Sequence, residues 1–139
     1  MIETFSVKES GYHPFLIRDG WQVAQLNYIK QQHIDKIVQL DVHLKTDEVF
    51  ILLKGNAVLI AASVVSGEPE FEIELMKSYK TYNIPQNVWH NIAMEEGSEI
   101  IIIEKSNTHI SDFEHLLLSK KKQEELKSRV KTLFDSIKQ

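Results

Sequence analysis

Two short stretches of this chain carry side chains able to hold a metal ion. Asp41, His43 and Glu48 fall within Asp41-Val42-His43-Leu44-Lys45-Thr46-Asp47-Glu48, and His90 ends Pro85-Gln86-Asn87-Val88-Trp89-His90 further on. Two neutral imidazoles with one or two carboxylates, and coordination positions left open, suit one divalent transition metal ion: Fe, Mn, Zn, Ni or Co. There is no cysteine, which excludes disulfides, thiolate ligands and thiol nucleophiles and leaves nitrogen and oxygen donors. Asp41 is a fourth ligand or a hydrogen-bonding neighbour. With both carboxylates bound the site is formally neutral; with Glu48 alone it keeps one positive charge, which alters Lewis acidity and the pKa of bound water. Taken singly, His43 reads as an edge-strand surface histidine and Glu48 as a solvated acid near a turn. Their joint spacing makes the metal reading, provided the fold brings the two stretches together.

The elements that must do so read as strands. Residues 37–44 alternate, with Val38, Leu40, Val42 and Leu44 on one face and Ile37, Gln39, Asp41 and His43 on the other, so period two sets Asp41 beside His43. Gln39 shares that face as a candidate supporting or substrate-contacting group. Thr46-Asp47 turns the chain into a strand over 48–53. Lys54-Gly55-Asn56 then makes a hairpin into 57–65, since glycine allows positive φ. Further strands are expected over 21–29, 71–76, 80–84, 88–94 and 99–105, separated by turns such as Ser66-Gly67-Glu68-Pro69 and Glu96-Gly97. Many short strands between turns imply an all-β antiparallel sandwich or barrel. Gly11 to Gly20 is too mixed to assign, though a strand there could pair across a dimer.

Residues 1–110 form the β domain, and residues 111–139 a helical tail belonging to the same domain. Ser111 followed by Glu114 has the spacing of a capping box, and Leu126, Val130, Leu133, Phe134 and Ile137 make one amphipathic stripe. That stripe and the apolar face of Val38, Leu40, Val42 and Leu44 both need cover. Packing on the β domain, or exchange across a dimer, covers the stripe, and with the apolar face also needing cover a homodimer is expected, symmetric pairing being the commonest assembly.

A chain of 139 residues is one domain with room for a sizeable core. The net charge of -4 favours neither nucleic acid nor an anionic membrane, and Lys120-Lys121-Lys122 runs straight into Glu124-Glu125 as a solvated face. No basic, apolar leader opens the chain and no apolar run reaches spanning length, so a cytoplasmic location is expected. Trp21 and Trp89 read as core or interface, Tyr28 and Tyr82 as structural hydroxyls. His13, His33, His109 and His115 lack partners at strand-compatible spacing, with His109 the most interesting because it sits near the end of the last strand.

The pattern Asp41-x-His43-x4-Glu48-x6-Gly55 resembles the first motif of the cupins, and Pro85-x-Asn87-x-x-His90 followed by Met94 resembles a degenerate form of the second. The resemblance covers roughly residues 35–105. It implies a cupin-type antiparallel β-barrel, or jelly roll, followed by the C-terminal amphipathic helix. It places His43, Glu48 and His90 at the family's metal-ligating positions. Asp41 stands where the first histidine belongs, Asn87 replaces a glycine and Met94 an asparagine. The expected function is metal binding with a metal-dependent reaction on a small polar molecule, sugar-like or carboxylate. The alternative is a non-catalytic small-ligand-binding or interaction protein with a vestigial site.

Overall fold

The computed structural model describes residues 1–138. Ten strands form two five-stranded antiparallel sheets: β1 (Gly11–Arg18), β2 (Trp21–Asn27), β3 (Gln39–Val42), β4 (Glu48–Lys54), β5 (Ala57–Val65), β6 (Glu68–Leu75), β7 (Thr81–Ile84), β8 (Trp89–Met94), β9 (Glu99–Glu104) and β10 (Glu114–Leu117). One sheet has the order β1-β2-β9-β4-β7, the other β10-β3-β8-β5-β6. A short α1 (Thr108–Ser111) precedes β10, and α2 (Lys120–Ser136) ends the fold.

Two expectations about fold class are corrected here. The sheets are not closed into a barrel, because no hydrogen-bonded ladder joins one to the other among the described residues. Nor is the fold all-β: it is mixed, with the 17-residue α2 supplying Leu126, Val130 and Phe134 to a core. Alternation predicts where strands lie and which face is apolar. It carries no information on whether edge strands meet, and closure depends on that.

There are two cores. Ala24, Leu26, Phe50, Leu59, Ile92, Ile100 and Ile102 pack between the sheets. On the far side of the second sheet, Leu40, Val58, Ile60 and Ala93 pack under α2 with Phe71 and Leu118. β5 is therefore buried on both faces, which accounts for its unbroken apolar run Ala57-Val58-Leu59-Ile60-Ala61-Ala62. The cover demanded by Leu40 and Val42 comes from within the chain, while Val38 and Leu44 stay exposed.

Three local features differ from the expectations. Gly11–Arg18 is a strand paired with β2 in the same chain, with a bulge between Pro14 and Leu16 where proline has no N–H to give. The Ser111/Glu114 spacing caps no helix, since Glu114 begins β10 on the free edge of β3. The helix is capped instead by Ser119, whose side chain accepts from the Lys122 N–H at 3.2 Å. The β4–β5 hairpin does turn at Gly55, φ +88°, where a Cβ would lie 2.6 Å from the Ser98 backbone, so only glycine fits.

Candidate metal centre

His43 follows β3, Glu48 opens β4 and His90 lies in β8, so the three side chains meet at one end of the space between the sheets. Glu48 and His90 are buried, at 6% and 5% exposure, and His43 is partly buried. The Nε2 atoms of His43 and His90 approach the same carboxylate oxygen, Glu48 Oε2, at 2.5 and 3.3 Å. One donor atom from each residue lies within 4.8 Å of the other two. Donors sharing an ion at metal–ligand distances of 2.0–2.2 Å sit roughly 3–3.4 Å apart. The His90–Glu48 separation already has that value. The His43–Glu48 contact is shorter, as an ion pair draws it, and a bound ion would part the two.

The hydrogen bonds behind the imidazoles settle which nitrogen faces inward. His43 Nδ1 is 2.6 Å from the Asp112 carbonyl oxygen and His90 Nδ1 is 2.9 Å from that of Val88. A carbonyl only accepts, so each Nδ1 carries the proton and donates it, and in the neutral ring each Nε2 keeps its lone pair for the centre. Glu48 Oε2 is buried with no hydrogen-bond partner, which means the two Nε2 atoms approach it off the N–H axis. Two Nε2 atoms and an unsatisfied carboxylate oxygen converge, and once the imidazoles give up their Nε2 protons this donor chemistry fits a divalent ion.

Asp112 clamps the segment that carries His43, its carboxylate accepting from the Leu44 and Lys45 N–H groups at 2.9 and 3.0 Å. The loop before β8 is tied down by the Asn87 N–H donating to the His43 carbonyl at 2.8 Å. Asn87 has φ +70°, a left-handed backbone that asparagine tolerates better than other side chains. Its place at a motif glycine therefore leaves the turn intact.

Electrostatics bind the three groups together. Burial works against protonation of His43, but the contact with Glu48 and its charge outweigh it, aided by the Asp112 carbonyl, and raise the pKa to about 9. His90 is raised for the same reason, again against burial. Burial works against ionisation of Glu48, yet the two imidazoles hold its carboxyl well below the usual range.

Asp41 is not in the cluster. It faces the same cavity, directly opposite His90 in the β3–β8 pairing. Its Oδ1 is taken by His115 Nδ1 at 2.6 Å and by Gln39 Nε2 at 3.1 Å. Gln39 thus acts beside Asp41, and His115 has a carboxylate partner supplied by the β10–β3 pairing, which sequence spacing does not reveal. Tyr82 is structural, its oxygen accepting from the Lys77 N–H at 2.8 Å.

The opposite wall of the cavity is a cluster that the motifs do not contain. Glu104, at the end of β9, has its side chain 4% exposed, with Oε2 3.9 Å from His43 Nε2. Its Oε1 accepts from Tyr12 O–H at 2.8 Å and Gln22 Nε2 at 3.1 Å, and His109 Nδ1 lies 3.1 Å from the same Gln22 nitrogen. Burial, then the charge of Glu48, raise the Glu104 pKa to about 7; burial and the Glu104 charge raise that of Tyr12. One sequence signal marks Glu104: it is in phase with the buried Ile100 and Ile102, an acid on the inward face of a strand. The cavity between the walls is about 150 Å³. A larger open groove of about 720 Å³, between β5–β6 and the loop before β8, shares no lining residue with it.

No family model matches the chain, and no curated protein matches it. Solved structures do. A cupin-2 domain-containing protein from Shewanella frigidimarina is 19% identical, with 71% of this chain and 84% of that chain covered and a TM-score of 0.50. The Bacillus halodurans protein BH2720 is 15% identical, with 76% of each chain covered and a TM-score of 0.57. A Streptomyces PAC13 variant with uridine is 11% identical, with 84% of this chain and 87% of that chain covered and a TM-score of 0.56. What this chain shares with them is its fold, and within it lies a buried His/His/Glu cluster of the kind that can take a divalent metal.

Proposed function

We propose that the protein holds one divalent transition metal ion through His43 Nε2, Glu48 and His90 Nε2 and uses it to bind and transform a small polar molecule. The observation that carries this is the convergence of two imidazole Nε2 atoms, oriented by Nδ1–H bonds to backbone carbonyls, on a buried carboxylate oxygen with no other partner. A bound ion supplies Lewis acidity toward a ligand oxygen. An enzyme also needs a proton-transfer group beside that oxygen, and Glu104 is the buried carboxylate in that place, anchored by Tyr12 and Gln22.

The test is elemental analysis of protein as isolated, then of protein stripped with chelator and reloaded anaerobically with Fe(II), Mn(II) or Zn(II). One ion per chain, lost in His43→Ala, supports the reading. Correctly folded protein that takes up no ion favours the second reading, a non-catalytic ligand-binding or interaction protein, for which the short His43–Glu48 ion pair speaks.

The proposal includes a cytoplasmic homodimer. Val38 and Leu44, left exposed on either side of β3, and Leu117 on the neighbouring β10 are among the exposed apolar groups that support it, and light scattering at the mass of one 16.1 kDa chain would reject it. Among the described residues no helix is long and apolar enough to cross a membrane.

A further inference from the structure

Resting on the metal reading above, the cavity itself narrows the chemistry of the ligand. At about 150 Å³, the place of the ion included, it takes a guest no larger than benzene, at most roughly six non-hydrogen atoms. Leu26, Phe50, Ile92 and Ile102 form its apolar sides. Neither lysine nor arginine lines it, whereas Asp41, Glu48 and Glu104 do. Glu48 and, where it is ionised, Glu104 already offset the charge of a divalent ion. A ligand carboxylate or phosphate would add negative charge to a largely buried space with no side-chain cation to receive it.

Glu104 says more. Its Oε2 is buried and has no hydrogen-bond partner, while Oε1 is fully engaged by Tyr12 and Gln22. Gln22 is held in one orientation because its Oε1 accepts from the Asn107 N–H at 2.8 Å, so its Nε2 can only donate. His109 Nδ1, on the same wall, therefore accepts from Gln22, which leaves the proton of the neutral ring on Nε2. A hydroxyl both donates and accepts, so it satisfies Glu104 Oε2 whichever partner carries the proton. We propose that the site takes a neutral, hydroxyl-bearing molecule of at most roughly six non-hydrogen atoms, with one oxygen on the ion and a hydroxyl on Glu104 Oε2.

Glycerol and D-glycerate are probes of matched size that differ in charge. Mn(II)-loaded protein is titrated with each, and the relaxation of the ligand protons by Mn(II) is read by NMR. Glycerol should be relaxed at least about tenfold more effectively than glycerate, and Glu104→Leu should cut the glycerol effect at least about tenfold with manganese stoichiometry unchanged. Glycerate relaxed as strongly as glycerol, or an undiminished glycerol effect in Glu104→Leu, overturns the proposal. Failure of the metal reading shows separately, as absent manganese uptake; saturation transfer to glycerol on metal-free protein then decides, its loss in Glu104→Leu supporting the proposal and its persistence overturning it. Should Glu104→Leu not fold, Tyr12→Phe frees the other carboxylate oxygen, and a partial loss of the glycerol effect is expected. No loss there also overturns the assignment to Glu104.

Discussion

The two walls of the cavity are built by different means. On one, Glu48 and His90 come from β4 and β8 and His43 from the residue after β3, and both imidazoles are oriented by backbone carbonyls, those of Asp112 and Val88. On the other, Tyr12, Gln22, Glu104 and His109 come from β1, β2, β9 and α1 and are oriented mainly by hydrogen bonds among their own side chains, with one backbone contact, the Asn107 N–H on Gln22. A wall set by backbone holds rigid donors for an ion. A wall set by side chains can change its chemistry by single substitutions while the ion site stays as it is. The first wall should govern metal binding and the second what the metal-bound protein recognises.

The sharpest contrast is between His90→Ala and Tyr12→Phe. Removing a donor from the ligand wall should lower metal affinity by about a thousandfold or more, beyond the ~10–100-fold typical of losing a supporting group, whereas Tyr12→Phe should change it by less than about tenfold. Isothermal titration with Zn(II) measures both, and similar losses would erase the distinction between the walls.

The next largest effect is that of pH. An ion must displace the proton held by His43, whose pKa is raised to about 9, so apparent affinity should fall about tenfold per unit as pH drops below that value. For chelated protein, the raised His43 pKa contributes stability that is fully present below 6.5 and lost as pH rises through about 9. The lowered Glu48 pKa contributes stability that is present above 4.5 and lost as pH falls through about 2. Thermal melts should place the chelated protein's optimum from this pair between those limits, with added metal extending it upward. A metal affinity flat from pH 6 to 9 would show that no proton is displaced.

Asp112→Ala tests how far the ligand wall depends on its clamp. It leaves the backbone carbonyl that accepts from His43 but frees the Leu44 and Lys45 N–H groups, and a ~10–100-fold loss of metal affinity is expected. Smallest of all, Asp41→Asn should cost less than about tenfold, because Asp41 is engaged by His115 and Gln39 and not by the cluster. A loss equal to that of His90→Ala would move Asp41 among the ligands.

The same division explains what the amino-acid sequence makes legible. Asp41, His43, Glu48 and Gly55 lie along one strand–turn–strand segment, where period two and a glycine turn dictate relative placement, and most strands follow from such local patterns. Glu104 meets Tyr12 across 92 residues and Gln22 across 82; no local period links them, and only the pairings of β2 with β1 and β9 bring them together. Asp112 and β10 were hidden for a related reason. The Ser111/Glu114 spacing suggests a helix start, but the free edge of β3 decides the conformation. The open edges of the two sheets are likewise a matter of which strands find each other, on which alternation is silent.

X-ray absorption on Zn(II)-loaded protein tests the central claim most directly, because it counts the donors. Wild type should show two imidazole nitrogens at about 2.0–2.1 Å together with carboxylate or water oxygen, and His90→Ala should show one imidazole. Two imidazoles persisting in His90→Ala, or none in wild type, would contradict the assignment of His43, Glu48 and His90 as the metal centre.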